Sequence, residues 1–185
     1  MTLQELLSQV VPALERARVS YMLTGSVASS AHGMPRSTRD LDIVIAPTRS
    51  QLLALIQQFP TTRYYADKEQ ALQALASNSQ FNVIDSITGW KVDFIIADDS
   101  EYGRTAITRR LLIDIAGNAV YVASAEDVLI AKLRWGKLGG SERQLQDAAG
   151  ILSTQGDNLE VAYVDHWVRE LGLEVQWEAA RKSCP

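Results

Sequence analysis

The stretch Leu23–Ile45, LTGSVASSAHGMPRSTRDLDIVI, decides how the rest of the chain is read. Its last part alternates, with Asp40 and Asp42 interleaved with Leu41 and Ile43. In a strand alternate side chains leave the same face, so the two carboxylates project together and the apolar pair faces the other way. Two ionised carboxylates that close repel each other, and a cation between them is the simple resolution. Oxygen-only ligation suits a hard ion such as Mg2+ or Mn2+. Upstream, Gly25-Ser26 falls where the apolar run SYMLTG gives way to the small-residue segment SVASSAHG. This is a strand-to-helix junction. Glycine permits close backbone approach, the start of a helix offers free N–H groups to a phosphate, and Ser26 adds a hydroxyl.

Outward from this stretch, LQELLSQVVPALERARV is amphipathic at helical spacing, with Leu3, Leu6, Leu7, Val10 and Leu14 on one side. Pro12 is expected to bend that helix or mark a restart. TRSQLLALIQQF, capped by Thr48, and DKEQALQALAS read as helices. QFNVIDSITGWKVDFIIA reads as two strands turning at Thr88-Gly89, the second carrying Asp93. A third carboxylate there completes a cluster that can hold two metal ions, which clamp the attacking and leaving oxygens of a phosphoryl displacement. Metal-binding aspartates beside a phosphate cradle point to a bound nucleoside triphosphate. RRLLIDIAGNAVYVAS reads as a hairpin with Gly117-Asn118 at its tip. From Ser124 onward the composition turns helical: SAEDVLIAKLRWGKL, with Ser124 as cap and Asp127 at capping-box spacing, then SERQLQDAAGILSTQ, LEVAYVDHWVRELG and EVQWEAARK. The expected fold class is α+β, a mixed sheet flanked by helices. Residues 1–123 would form the core, and residues 124–185 a helical extension packed on it as a single unit.

Bulk properties narrow the classes. The 185 residues carry a net charge of −4 and no basic stripe, which speaks against a duplex-DNA-binding module. The lone cysteine, Cys184, allows no disulfide within the chain and fits a reducing cytoplasm. The first twenty residues are charged throughout and lack the apolar core of a signal peptide, and no apolar run is long enough to span a bilayer.

The ordered pattern TGS, thirteen intervening residues, DLD and a later VDF resembles the nucleotidyltransferase superfamily related to DNA polymerase beta. AHGMPRSTRDLDI looks more narrowly like small prokaryotic members, the minimal and toxin-like nucleotidyltransferases. SAEDVLIAKLRWG and SERQLQDAAGIL look like the helices that follow the catalytic sheet there, so the likeness spans roughly residues 4 to 175. It implies a polymerase-beta-like mixed sheet and a transferase of the EC 2.7.7 type. Such an enzyme moves a nucleoside monophosphate from an NTP to an acceptor hydroxyl or phosphate and releases pyrophosphate. It further implies that Gly25 and Ser26 hold the triphosphate, and that Asp40 and Asp42 bind Mg2+ or Mn2+. Asp93 would bind metal or act as the base toward the acceptor. Lys132 and Arg36 would meet the nucleotide. Asp147 matches an acidic position of relatives whose role varies. The acceptor is left open among RNA (a tRNA end), a protein side chain and a small hydroxylated molecule. An alternative is a non-catalytic nucleotide-binding protein of the same fold, or one half of a toxin–antitoxin pair with a small protein partner.

Bland roles compete at several positions. Ser26 serves equally as a plain helix cap, and Lys132 as a side chain that snorkels to the surface. Arg36 and Arg39 are also ordinary solvated loop charges, and Asp147 a surface or helix-pairing carboxylate. His32, at a helix end, is read as structural. His166, Trp90, Trp167 and Trp177 are read as packing, with Trp135 less clear because it follows Arg134. Cys184 has no base near it in sequence and is not read as catalytic.

Overall fold

The computed structural model describes residues 1–184 and contains one seven-stranded mixed sheet and nine α-helices among them. The chain divides into two compact units, Met1–Thr24 with Thr38–Val122, and Gly25–Ser37 with Ala123 onward. The second unit therefore takes in residues 25–37, which the sequence boundary grouped with the sheet. Among the described residues no helix is long and apolar enough to cross a membrane.

The first unit holds the whole sheet. Its elements are α1 (Leu3–Arg16), β1 (Ser20–Leu23), β2 (Asp40–Ala46), α3 (Arg49–Ile56), β3 (Tyr64–Ala66), α4 (Lys68–Ser77), β4 (Gln80–Asp85), β5 (Lys91–Ile96), α5 (Glu101–Thr108), β6 (Leu111–Ile115) and β7 (Asn118–Val122). The strand order is β3-β4-β5-β2-β1-β7-β6. Strand β2 runs antiparallel to β1 and parallel to β5, so the DLD strand lies in the middle of the sheet with VDF beside it. Leu41, Ile43 and Ile45 are fully buried while Asp40 is exposed, as the alternation requires. Their partners in the core include Phe94 on β5, Leu6, Leu7 and Leu14 on α1, and Leu52 and Leu55 on α3.

Several helix starts are fixed by local capping, of which the sequence showed Thr48. Thr2 and Thr48 each form a reciprocal capping box, with Glu5 and Gln51 respectively. Asp67 accepts from the Glu69 and Gln70 N–H groups to start α4. Pro12 marks no restart: it lies inside a single helix, Leu3–Arg16. The carbonyl it leaves without an intrahelical donor belongs to Ser8, an exposed residue that water can satisfy. The β6–β7 hairpin turns through Ala116 and Gly117, both at positive φ (52° and 79°), so Asn118 begins the strand instead of forming the tip. Two elements escaped the sequence reading. Strand β3 is only three residues long, and α5 contains Gly103, a poor helix former. A Cβ at Gly103 would run into the Asp98 carbonyl, so close approach dictates the glycine.

The second unit is helical: α2 (Gly25–His32), α6 (Ala125–Gly139), α7 (Glu142–Gln155), a short 3-10 turn at Gly156–Asn158, α8 (Val161–Glu170) and α9 (Glu174–Lys182). Ser124 caps α6 through the Asp127 N–H, and its hydroxyl donates to the Asp127 carboxylate at 2.9 Å. The buried Val27, Leu129, Leu133, Ile151, Val164, Val168 and Trp177 come from α2, α6, α7, α8 and α9. His32 is buried with Nε2 2.8 Å from the Ala123 carbonyl, and the Gln155 amide donates to the His32 carbonyl at 2.6 Å. Both contacts are structural.

Candidate active site

In the first unit, the parallel β2–β5 register pairs Asp40 with Lys91 and Asp42 with Asp93. Paired residues of neighbouring strands share a face, so Asp40, Asp42, Lys91 and Asp93 all leave the same side of the sheet. Their neighbours Leu41, Ile43, Val92 and Phe94 are buried on the other side. Exposure falls across the group: Asp40 is exposed, Asp42 half-buried and Asp93 buried. The Lys91 ammonium lies 2.8 Å from Asp93 Oδ2 and 3.7 Å from Asp40 Oδ1. Its pKa is raised above the ordinary 10.5, chiefly by the hydrogen bond to Asp93, with the charges of Asp40 and Asp42 adding to the effect.

These donors suit a hard divalent cation by chemistry, since three carboxylates on two adjacent strands supply oxygen only. Among the described residues, however, no three His, Cys, Asp or Glu side chains converge as a ligand set. The ammonium of Lys91 lies against two of these carboxylates, Asp93 and Asp40, so a positive charge is already accommodated there. Sequence analysis missed Lys91, although a signal was present: it stands two residues before Asp93 in the same strand, hence on the same face.

The β4–β5 hairpin that carries Asp93 is set by another aspartate. Asp85 Oδ1 accepts the Ile87 and Thr88 N–H groups at 2.9 and 3.1 Å, and Oδ2 accepts the Arg63 guanidinium at 3.0 and 2.8 Å. Burial alone would raise its pKa; the bonds from Arg63, Ile87 and Thr88 outweigh that and hold it below the ordinary 3.8.

In the second unit, Gly25 opens α2 at φ 62°, a conformation that costs glycine little. Ser26 follows, half-buried, and its hydroxyl accepts from the Arg36 guanidinium. Asp147, on α7, accepts from the Lys132 ammonium of α6 at 2.7 Å and lies 3.5 Å from the Arg36 guanidinium. Thus four of the residues singled out in the sequence, Ser26, Arg36, Lys132 and Asp147, form one chain of polar contacts. Lys132 does not snorkel, for its side chain is 4% exposed and ion-paired. Of the two plain roles expected of Asp147, the surface one fails, for it is 12% exposed and shared by two cations, while the helix-pairing one agrees with its bond from α7 to Lys132 on α6. Arg39, by contrast, is exposed, as is His166, which leans on Trp167 at 4.8 Å between ring centroids. Trp167 and Trp177 are buried, and Trp135 is half exposed.

No protein-family model matches the chain, and no curated protein matches it in sequence. Solved structures do. The fold is that of known nucleotidyltransferases. The antibiotic-resistance factor ANT(2'')-Ia, solved in solution, superimposes with a TM-score of 0.59 at 14% identity, over 95% of this chain and 96% of that one. Its crystal structure in complex with adenylyl-2''-tobramycin gives the same TM-score, 0.59, over 98% of both chains. The lincosamide antibiotic adenylyltransferase LnuA, lincomycin-bound, gives 0.53 at 16% identity, over 83% of this chain and 98% of that one. At such identities the likeness establishes the fold, and with it the architecture that the family resemblance implied.

Proposed function

We propose that the chain is a metal-dependent nucleotidyltransferase, moving a nucleoside monophosphate from an NTP to an acceptor hydroxyl and releasing pyrophosphate. The observation that carries this reading is the strand register that sets Asp42 opposite Asp93 with Asp40 on the same face. The fold shared with ANT(2'')-Ia and LnuA supports it.

In this reading Asp40, Asp42 and Asp93 hold Mg2+ or Mn2+, which when bound neutralises phosphate charge and polarises the reacting oxygens. The acceptor oxygen bonds to the α-phosphorus, and the bond from that phosphorus to the pyrophosphate oxygen breaks. The acceptor proton passes to a carboxylate, for which Asp93 is the candidate. Gly25 and Ser26 meet the triphosphate with backbone N–H and hydroxyl, and Arg36 brings a planar, five-donor guanidinium to the same hydroxyl. Lys132 is buried, so its part is to fix Asp147 and add positive charge from within. Catalysis on this plan is positioning and charge neutralisation.

A small hydroxylated molecule is the acceptor class best supported. The two antibiotic-modifying proteins of the same fold were captured with adenylyl-tobramycin and with lincomycin. A net charge of −4 without a basic stripe offers little to an RNA backbone. The test is to incubate the protein with α-labelled NTPs, Mg2+ and separate panels of small polyols and amino sugars, total RNA and protein. Pyrophosphate release with label on a small molecule, absent in Asp42→Asn, is expected. Bound nucleotide with no pyrophosphate from any panel would instead mark a nucleotide-binding protein without transfer.

A further inference from the structure

Lys91 has no part in the chemistry above, yet its ammonium lies against two of the three carboxylates, Asp93 and Asp40. We propose that Lys91 is a built-in counter-cation that holds the aspartate face together without metal and must leave Asp93 when a divalent ion enters. This rests on Asp40, Asp42 and Asp93 being the metal ligands.

The geometry gives three reasons. First, the ammonium reaches across the strand pair, touching Asp93 on its own strand at 2.8 Å and lying 3.7 Å from Asp40 on the next. It therefore takes up lone pairs that a divalent ion would need, and the two compete for Asp93 Oδ2. Second, Asp93 is the most buried of the three carboxylates, and the oxygen it offers on this face, Oδ2, is the one the lysine engages. Third, the Lys91 side chain is 36% exposed, so its flexible four-carbon stem has water to swing into. An arginine would grip with a rigid fork; a lysine binds as a point charge and lets go more easily. Removing Lys91 takes the ammonium away from Asp93 and Asp40, which weakens the metal-free protein and frees Asp93 Oδ2 for metal.

The test uses the full chain and Mn2+ alone, with no nucleotide. Calorimetric Mn2+ affinity and the metal-free melting temperature are measured for the natural protein, Lys91→Met and Lys91→Arg. Lys91→Met should melt lower without metal and bind Mn2+ about tenfold more tightly, the loss of one charge-assisted contact that metal must break. Lys91→Arg, which keeps the charge and the fold, should bind Mn2+ more weakly than the natural protein. Equal Mn2+ affinity in the natural protein and both variants would overturn the role of Lys91 and leave the metal reading standing. Should Lys91→Met fail to fold, the arginine variant alone decides: unchanged or tighter Mn2+ binding refutes the proposal. Absence of Mn2+ binding in all three proteins would overturn the metal reading and this proposal with it.

Discussion

Asp85 and Asp93 stand on the two strands of one hairpin, both buried, each opposed by one cationic side chain. Their surroundings differ in kind. Asp85 has every oxygen engaged, by two main-chain N–H groups on one side and a guanidinium making two bonds on the other. Asp93 is held by the Lys91 ammonium and, among the described residues, by no main-chain N–H. A carboxylate saturated by fixed donors is part of the scaffold, because nothing can take its lone pairs without dismantling the turn. A carboxylate held by one flexible lysine keeps lone pairs that another cation can claim. The same residue type thus builds the hairpin at one end and offers chemistry at the other, and the donors around it tell the two apart.

The sharpest break in the comparison comes from Asp93→Asn. It should lower nucleotidyl transfer by about a thousandfold or more, the loss of an electrostatic contact to the reacting group. The melting temperature should hardly change; a variant that unfolds, or transfers normally, would put Asp93 with Asp85 in the scaffold. Next in size is Asp147→Asn, which removes the carboxylate shared by a buried Lys132 and Arg36. Because one partner of a buried pair is left behind, a loss of about 3 kcal/mol in denaturant unfolding is expected, together with weaker NTP binding. Unchanged stability would show that Lys132 finds compensation elsewhere.

Asp85→Asn should cost about 2 kcal/mol, since an amide nitrogen then faces the Arg63 guanidinium. Its pH signature follows from the sign of the shift. A carboxyl held below 3.8 in the folded protein contributes stability that is present above that pH and lost as pH falls through the folded value. Melting followed from pH 6 down to about 2 should therefore show a flatter acid limb in Asp85→Asn than in the natural protein. Parallel limbs would contradict this. The smallest effect expected is that of Ser26→Ala. Its hydroxyl accepts from Arg36, so NTP affinity should fall several-fold, about 1 kcal/mol, with melting little altered. A loss in melting alone would mark Ser26 as a cap and nothing more.

Much of this was legible in the sequence where the governing rule is local. Alternation in DLDIVIA marked the carboxylate face, and the Thr48 and Ser124 caps marked two helix starts, because both depend on residues a few positions apart. Local rules failed where an exception was absorbed by the surroundings. A helix continues through Pro12, and α5 keeps Gly103 because Asp98 leaves no room for a Cβ. Among the candidate residues, the three aspartates of the first unit and Gly25-Ser26 of the second were visible as a spaced pattern. The grip of Asp147 on Arg36, 111 residues away, was not, since only the folded chain brings those charges together. Lys91 was within reach of the two-residue period but has no motif of its own.

The most direct test of the central claim is a calorimetric titration of each of the four NTPs into the natural protein and Asp42→Asn, with Mg2+ and without it. The account predicts binding of at least one NTP that requires Mg2+ and disappears in the variant. Binding that is indifferent to Mg2+ or survives in a folded Asp42→Asn, or no NTP binding at all, would contradict it.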